Sequence, residues 1–358
     1  GHHWQLFPEN NRGQRIKGSR DTKVQGTRFI LPWAFDPNSA VRQELKGTPA
    51  IVPTQIDGFL HEIQSALPKA AIFLKQITSL TLRRNGKPIF LVTRQDNGNS
   101  IDVWINGEKI TWQVFQYDFA DDAIILRSKH PGAIELTRRS IVKIAVPDSS
   151  FVQGYLFADL PTETFTNLPF HIQADFYPTS DRKRILLDDS ISSEWNQLAI
   201  RSAAVPITSS FDRIQKLFKP ILFWDWIAQI HKGGKETFLH PAFSIFWDKL
   251  SETLASKRIL VTSKDETTYL QDACLLASDE EIAATDIWEA INIKIVHPDL
   301  RKHFTLLQEL GTPRMRLTDI TRGLRSGGLT GTQSFKHVPV PLRKNDGWIK
   351  LWKAVDIL

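Results

Sequence analysis

The spacing of apolar residues changes twice along this chain, and those two changes limit the folds open to it. Over residues 55–74, Ile56, Phe59, Leu60, Ile63 and Leu67 recur at helical spacing. The period then falls to two. Segments 77–83, 89–94, 101–105, 111–119, 134–146, 152–160 and 168–177 read as strands. Asn85-Gly86, Asn97-Gly98 and Asn106-Gly107 supply hairpin turns between the earlier ones. After Asp188 the helical period returns over 194–204, 211–231, 241–256 and 286–292, with short strands at 258–261 and 294–296. A helix over 318–325 follows. Asn345 is placed to cap a last one, with Trp348, Leu351, Trp352, Val355 and Leu358 on one face. The expected fold class is α+β, with an antiparallel or mixed sheet followed by a mainly helical region.

The most informative stretch is 167–184, NLPFHIQADFYPTSDRKR. From Leu168, the residues Phe170, Ile172, Ala174 and Phe176 fall on one strand face, and His171, Gln173, Asp175 and Tyr177 on the other. Pro178, Thr179 and Ser180 break the strand, and Arg182, Lys183 and Arg184 follow in a row. Cations held at a strand end suit a polyanion such as a nucleotide phosphate. A solvated basic turn paired with Asp188 or Asp189 is the competing reading. Arg182 is the favoured member because the spacing puts it nearest the strand end. His171, on the polar face, reads as a hydrogen-bonded structural histidine.

These residues also resemble a family. Leu168-Pro169-Phe170-His171-Ile172, Ser180 to Arg184, Asp188-Asp189 and Glu194-Trp195-Asn196 look like the sacsin-type branch of the GHKL ATPases. That superfamily includes gyrase, heat-shock chaperones of the ninety-kilodalton class, histidine kinases and MutL. Gly26-Thr27-Arg28-Phe29-Ile30-Leu31-Pro32 is similar to the strand that closes the family's ATP-binding domain. Phe73-Leu74-Lys75-Gln76-Ile77 resembles its passage into the middle domain. Ala273-Cys274-Leu275-Leu276 and Leu317-Thr318-Asp319-Ile320 look like signatures of its later helical part. The resemblance implies three parts: residues 1–36 as the end of an ATP-binding domain, 55–187 as an α+β middle (transducer) domain, and 188–358 as a helical domain. It implies ATP and Mg²⁺ as cofactors of the full-length protein. Gly26 and Thr27 would lie on the nucleotide side, and Arg182, Lys183 or Arg184 would reach the terminal phosphate. The partners expected are protein clients or partner subunits in a chaperone-type assembly.

The family's general base, magnesium-ligand and adenine-binding elements have no match here. The nearest string, Asp96-Asn97-Gly98-Asn99, lies between two strand patterns and reads as a hairpin turn. The expectation is therefore a fragment that enters near the last strand of a nucleotide-binding domain and does not hydrolyse ATP alone. A non-catalytic protein- or nucleic-acid-interaction module, such as the regulatory half of a bacterial defence or repair complex, is the second reading. A stand-alone hydrolase is the third, opposed by the lack of any nucleophile or metal constellation.

Composition excludes other classes. No apolar run approaches the roughly 20 residues that span a bilayer, so no membrane role is expected. A single cysteine, Cys274, forbids an internal disulfide and fits the cytoplasm. Its ACLL surroundings read as a buried small hydrophobe. The net charge of +6 permits nucleic acid without demanding it, because the basic residues are scattered in pairs such as Arg138-Arg139. The histidines show no metal-ligand spacing, and no metal site is expected. Residues 323–332, GLRSGGLTGT, lack the ending of a phosphate loop and read as a surface loop.

Overall fold

A computed structural model describes residues 53–84, 87–148, 152–235, 239–326 and 338–358. The Gly26 to Pro32 string with Gly26 and Thr27, the Asn85-Gly86 turn and residues 327–332 of the glycine-rich string lie outside them. The chain divides into two units, 1–67 and 68–358. Of the first, the described part is the beginning of helix α1 (Pro53–Phe73), where Ile56, Leu60, Ile63 and Leu67 are partly covered and Phe59 is exposed.

The second unit is α+β. Strands β1 (Ser79–Arg84), β2 (Lys87–Asp96), β3 (Ser100–Ile105), β4 (Glu108–Asp118) and β5 (Ile141–Pro147) form an antiparallel meander. Asn106 and Gly107 take φ +50° and +98°, the two left-handed positions of a type I′ turn. Between β2 and β3, Gly98 sits at φ +83° and its N–H bonds the Asp96 carboxylate at 3.0 Å. The Asp96–Asn99 string is thus a hairpin turn, as its flanking strand patterns predict. Strands β6 (Tyr155–Ala158), β7 (Leu160–Phe165) and β8 (His171–Gln173) complete a mixed eight-stranded sheet in the order β1-β2-β3-β4-β5-β8-β6-β7. Only the β6–β8 pair is parallel.

Strand β8 is therefore central, and this corrects the expectation of a polar face. His171 is 2% exposed and Gln173 8%. One face of the sheet carries Phe115, Ile144, Phe170 and Ile172 into the main core with the helices. The other is covered near His171 by the end of α1, where Phe73 meets Phe157 edge-on at 4.9 Å and Phe157 meets His171 at 5.1 Å. The chain also leaves the sheet after Gln173, not at Tyr177.

Helix α2 (Ala120–Lys129) was not expected. It buries Ala123 alone and exposes Ile124 and Ile125, so no apolar stripe announces it. Its presence delays β5 to Ile141, where the sequence pattern places a strand from 134. After Asp188 come α3 (Ile191–Ser202), α4 (Ala204–Ser209), α5 (Phe211–Gln215), α6 (Pro220–Lys235) and α7 (Ser244–Leu254). The helix expected over 211–231 is two, because Pro220 has no N–H to continue it and instead starts α6. Phe223, Trp224, Trp226, Phe246 and Leu250 of these helices share one core with the sheet residues, so apolar packing runs uninterrupted across residue 187.

A second cluster gathers Cys274, Trp288, Met315, Ile320, Leu351 and Ala354. It is built by α8 (Asp279–Ala283), α9 (Thr285–Ala290), α11 (Leu317–Ser326) and α12 (Asn345–Val355), whereas α10 (Phe304–Glu309) packs with the main core. Burial pushes the Cys274 thiol up to about 11, an inert small hydrophobe. Helix α12 begins at Asn345 itself, so Lys344 takes the cap position. Its inward face is Gly347, Leu351 and Ala354, while Trp348, Trp352 and Leu358 are exposed. The rotation follows from Gly347, where a Cβ would stand 2.1 Å from the Pro341 carbonyl oxygen.

Gly154 has a comparable role before β6. A Cβ there would lie 2.2 Å from the Phe170 oxygen and 2.7 Å from that of Leu168, whose carbonyl accepts the Gly154 N–H. Gly154→Ala is expected to cost about 2–3 kcal/mol, read as a lowered urea midpoint with unchanged slope.

Candidate functional site

Arg182, Lys183 and Arg184 occupy a tight turn closed at its base by an antiparallel bridge between Pro178 and Ile185. Its backbone is tied internally. Thr179 N–H donates to the Arg184 carbonyl at 2.8 Å and Arg182 N–H to the Thr179 carbonyl at 2.8 Å. The Thr179 hydroxyl donates to Asp181 at 2.5 Å and accepts from Arg184 N–H at 3.1 Å. Asp181 also accepts from Lys183 N–H at 3.0 Å, and these two bonds hold its carboxyl below the usual range. The turn rests on β7, through Ile185 N–H to the Thr164 hydroxyl at 3.0 Å and Glu163 N–H to the Lys183 carbonyl at 2.6 Å.

Arg182 sits at the apex with φ +58°, a conformation disfavoured for a residue bearing a Cβ. It is therefore at the tip of a turn and not beside the strand end. All three cationic side chains are exposed. Lys183 pairs with Glu163 at 3.3 Å, whereas Arg182 and Arg184 make no ion pair among the described residues. Neither Asp188 nor Asp189 neutralises them. Asp188 accepts from the N–H and hydroxyl of Ser190, whose side chain in turn caps α3 by accepting from Ser193 N–H at 3.2 Å.

The segment leading into this turn is gripped from two sides. On one side stands α3, the element that carries Glu194-Trp195-Asn196. The Trp195 indole N–H donates to the Asp175 carbonyl at 2.9 Å. The buried Asn196 side chain accepts from Tyr177 N–H at 2.7 Å and donates to the carbonyls of Tyr177 and Leu186, each at 2.8 Å. A single amide thus bonds both legs of the turn, just outside its base. Glu194 is held by Lys129 at 3.0 Å and His130 at 3.1 Å, tying α3 to the end of α2. The Glu194-Trp195-Asn196 string acquires here a local reason: it fastens the basic turn to the helical core.

On the other side is Arg138. Its guanidinium lies 3.5 Å from the Tyr177 ring centroid and donates to the Asp175 carboxylate at 2.9 Å, the Asp175 carbonyl at 2.8 Å and Glu135 at 3.0 Å. Among scattered basic pairs nothing in the sequence separates Arg138 from its neighbours, because its partners Asp175 and Tyr177 lie far along the chain. Glu135 also accepts the Tyr177 hydroxyl, and the Arg138 bond together with that hydroxyl holds its carboxyl down to about 2. A folded-state value below the ordinary 4.5 means stability present above pH 4.5 and lost as pH falls through about 2. The difference in thermal midpoint between the wild type and Glu135→Gln should therefore close across that window.

His171 is hydrogen-bonded, as its pattern predicts. Its Nδ1 accepts from Tyr155 N–H at 3.2 Å, and its ring stacks on Trp112 at 4.9 Å. Burial, reinforced by the charge of Lys69, pushes its pKa down to about 3, so the ring is neutral at physiological pH.

Among the described residues no cluster of three His, Cys, Asp or Glu side chains could hold a metal, and no helix is long and apolar enough to cross a membrane. No family model, curated protein or solved structure matches the chain.

Proposed function

We propose that this chain is the middle and helical region of a sacsin-like GHKL ATPase, in which the 178–185 turn senses the terminal phosphate of ATP bound by the ATP-binding domain. The observation that carries the reading is the pairing of a tied turn with two uncompensated guanidinium groups. An arginine fork meets phosphate oxygens with two parallel hydrogen bonds, and a preorganised backbone spares the ordering cost when it does so. The turn thus fits a terminal phosphate. When bound, MgATP supplies the phosphoryl group and the metal charge that offsets it. What this chain contributes is a cation on a tied backbone, and a hydrogen-bonded link from the legs of that turn through Asn196 and Trp195 into the helical core.

In the full-length gene product, Arg182→Ala is expected to slow ATP hydrolysis by about 100-fold or more with nucleotide affinity little changed. Lys183→Ala should leave the rate close to wild type, because Glu163 already engages that ammonium. Equal rates for wild type and Arg182→Ala would refute the phosphate-sensing role. Salt-dependent DNA or RNA binding lost on changing Arg182 and Arg184, without any effect of ATP, would support an interaction module instead.

A further inference from the structure

On the face of the sheet away from the main core, a cavity of about 260 Å³ opens between the end of α1 and strands β3, β4, β6 and β8. Its walls are apolar and aromatic, with Ile72, Val103, Trp112 and Tyr155 among them. Two polar groups in the lining are left over from the protein's own bonding. The first is His171. Its Nδ1 accepts from the Tyr155 amide, so the neutral ring carries its proton on Nε2, and Nε2 has no hydrogen-bond partner among the described residues. The ring is 2% exposed, so this donor is available only to something inside the cavity. The second is Lys69. Its ammonium lies 4.2 Å from the centroid of the Tyr155 ring and has no ion pair among the described residues. Among the described residues no carboxylate lines the cavity.

An aromatic slot holding one unmet donor and one unpaired cation is complementary to an apolar body ending in an anionic acceptor. The volume lies below the roughly 300 Å³ at which drug-sized pockets begin, which restricts the ligand to a small molecule.

We propose that this cavity binds a small monocarboxylate with an aromatic or branched apolar body. The body lies against Trp112, Tyr155 and Ile72, and the carboxylate accepts from His171 Nε2–H beside the Lys69 ammonium. The site is independent of the basic turn and of any nucleotide.

The test is calorimetric titration of the full chain with 3-phenylpropionate and with 3-phenylpropanol, its neutral analogue. Saturable binding of the acid at one site is expected, with the alcohol about tenfold weaker or worse. Lys69→Met, at a partly exposed position that tolerates change, should weaken the acid about tenfold and leave the alcohol unaffected. His171→Phe should abolish the preference for the acid, provided its unfolding midpoint shows a folded protein. No saturable binding of the acid at about 10 mM, equal affinities for acid and alcohol, or an acid affinity unchanged in Lys69→Met would each overturn the proposal.

Discussion

Trp195→Ala lowers the unfolding free energy by about 3–5 kcal/mol, the cost of emptying a fully buried indole site that its surroundings cannot refill. The ring is packed on all sides, with Phe119 at 5.4 Å between centroids and the Arg127 guanidinium at 5.1 Å. Trp195→Phe separates packing from hydrogen bonding. It keeps most of the apolar contact and loses the donor to Asp175, whose carbonyl still accepts from Arg138. Its cost should be nearer 1 kcal/mol. Urea unfolding of both variants checks the ratio, and a Trp195→Phe loss as large as that of Trp195→Ala would show that the hydrogen bond, not the volume, holds α3 to the turn.

Asn196→Ala is expected to cost about 2–4 kcal/mol and to loosen the basic turn specifically. Removing the amide strands the Tyr177 N–H and the Leu186 carbonyl, each at about 1–3 kcal/mol when buried. The Tyr177 carbonyl is spared, because Leu186 N–H also donates to it. Asn196→Asp should be at least as damaging despite its shape, since it sets carboxylate oxygens against two carbonyls that need donors. Hydrogen exchange of the Thr179, Arg182 and Arg184 amides should quicken in Asn196→Ala well beyond the change in global stability. Exchange that merely follows global stability would mean that the turn is held by its own internal bonds and not by α3.

What could be read from the sequence, and what could not, divides along a physical line. Strands β1 to β4 and their two described turns were legible because their signals are local: alternation over several residues and an Asn-Gly pair at each turn, left-handed at both residues in Asn106-Gly107 and at Gly98 in the other. Most of the helical half was legible from apolar spacing; the break that Pro220 imposes and the short helices α4, α8 and α10 were not. Helix α2 was not, since a helix that buries one alanine leaves no stripe to detect. The burial of His171 was not either, because alternation cannot show that a strand is central and covered on both faces. At the candidate site the cations themselves stood out as a run. Their supports did not: Arg138 and Asn196 act through partners 37 and 19 residues away, at separations that no local pattern encodes. The left-handed apex at Arg182 was likewise invisible, as arginine gives no sign of a positive φ.

The proposed contact is between the tied 178–185 turn and the terminal phosphate of ATP. The most direct measurement is amide hydrogen exchange across residues 178–186 of the full-length gene product, with a non-hydrolysable ATP analogue and with ADP. Slower exchange is expected at Arg182 and Arg184 with the analogue alone, with loss of that protection in Arg182→Ala. Identical exchange in the two nucleotide states would contradict it.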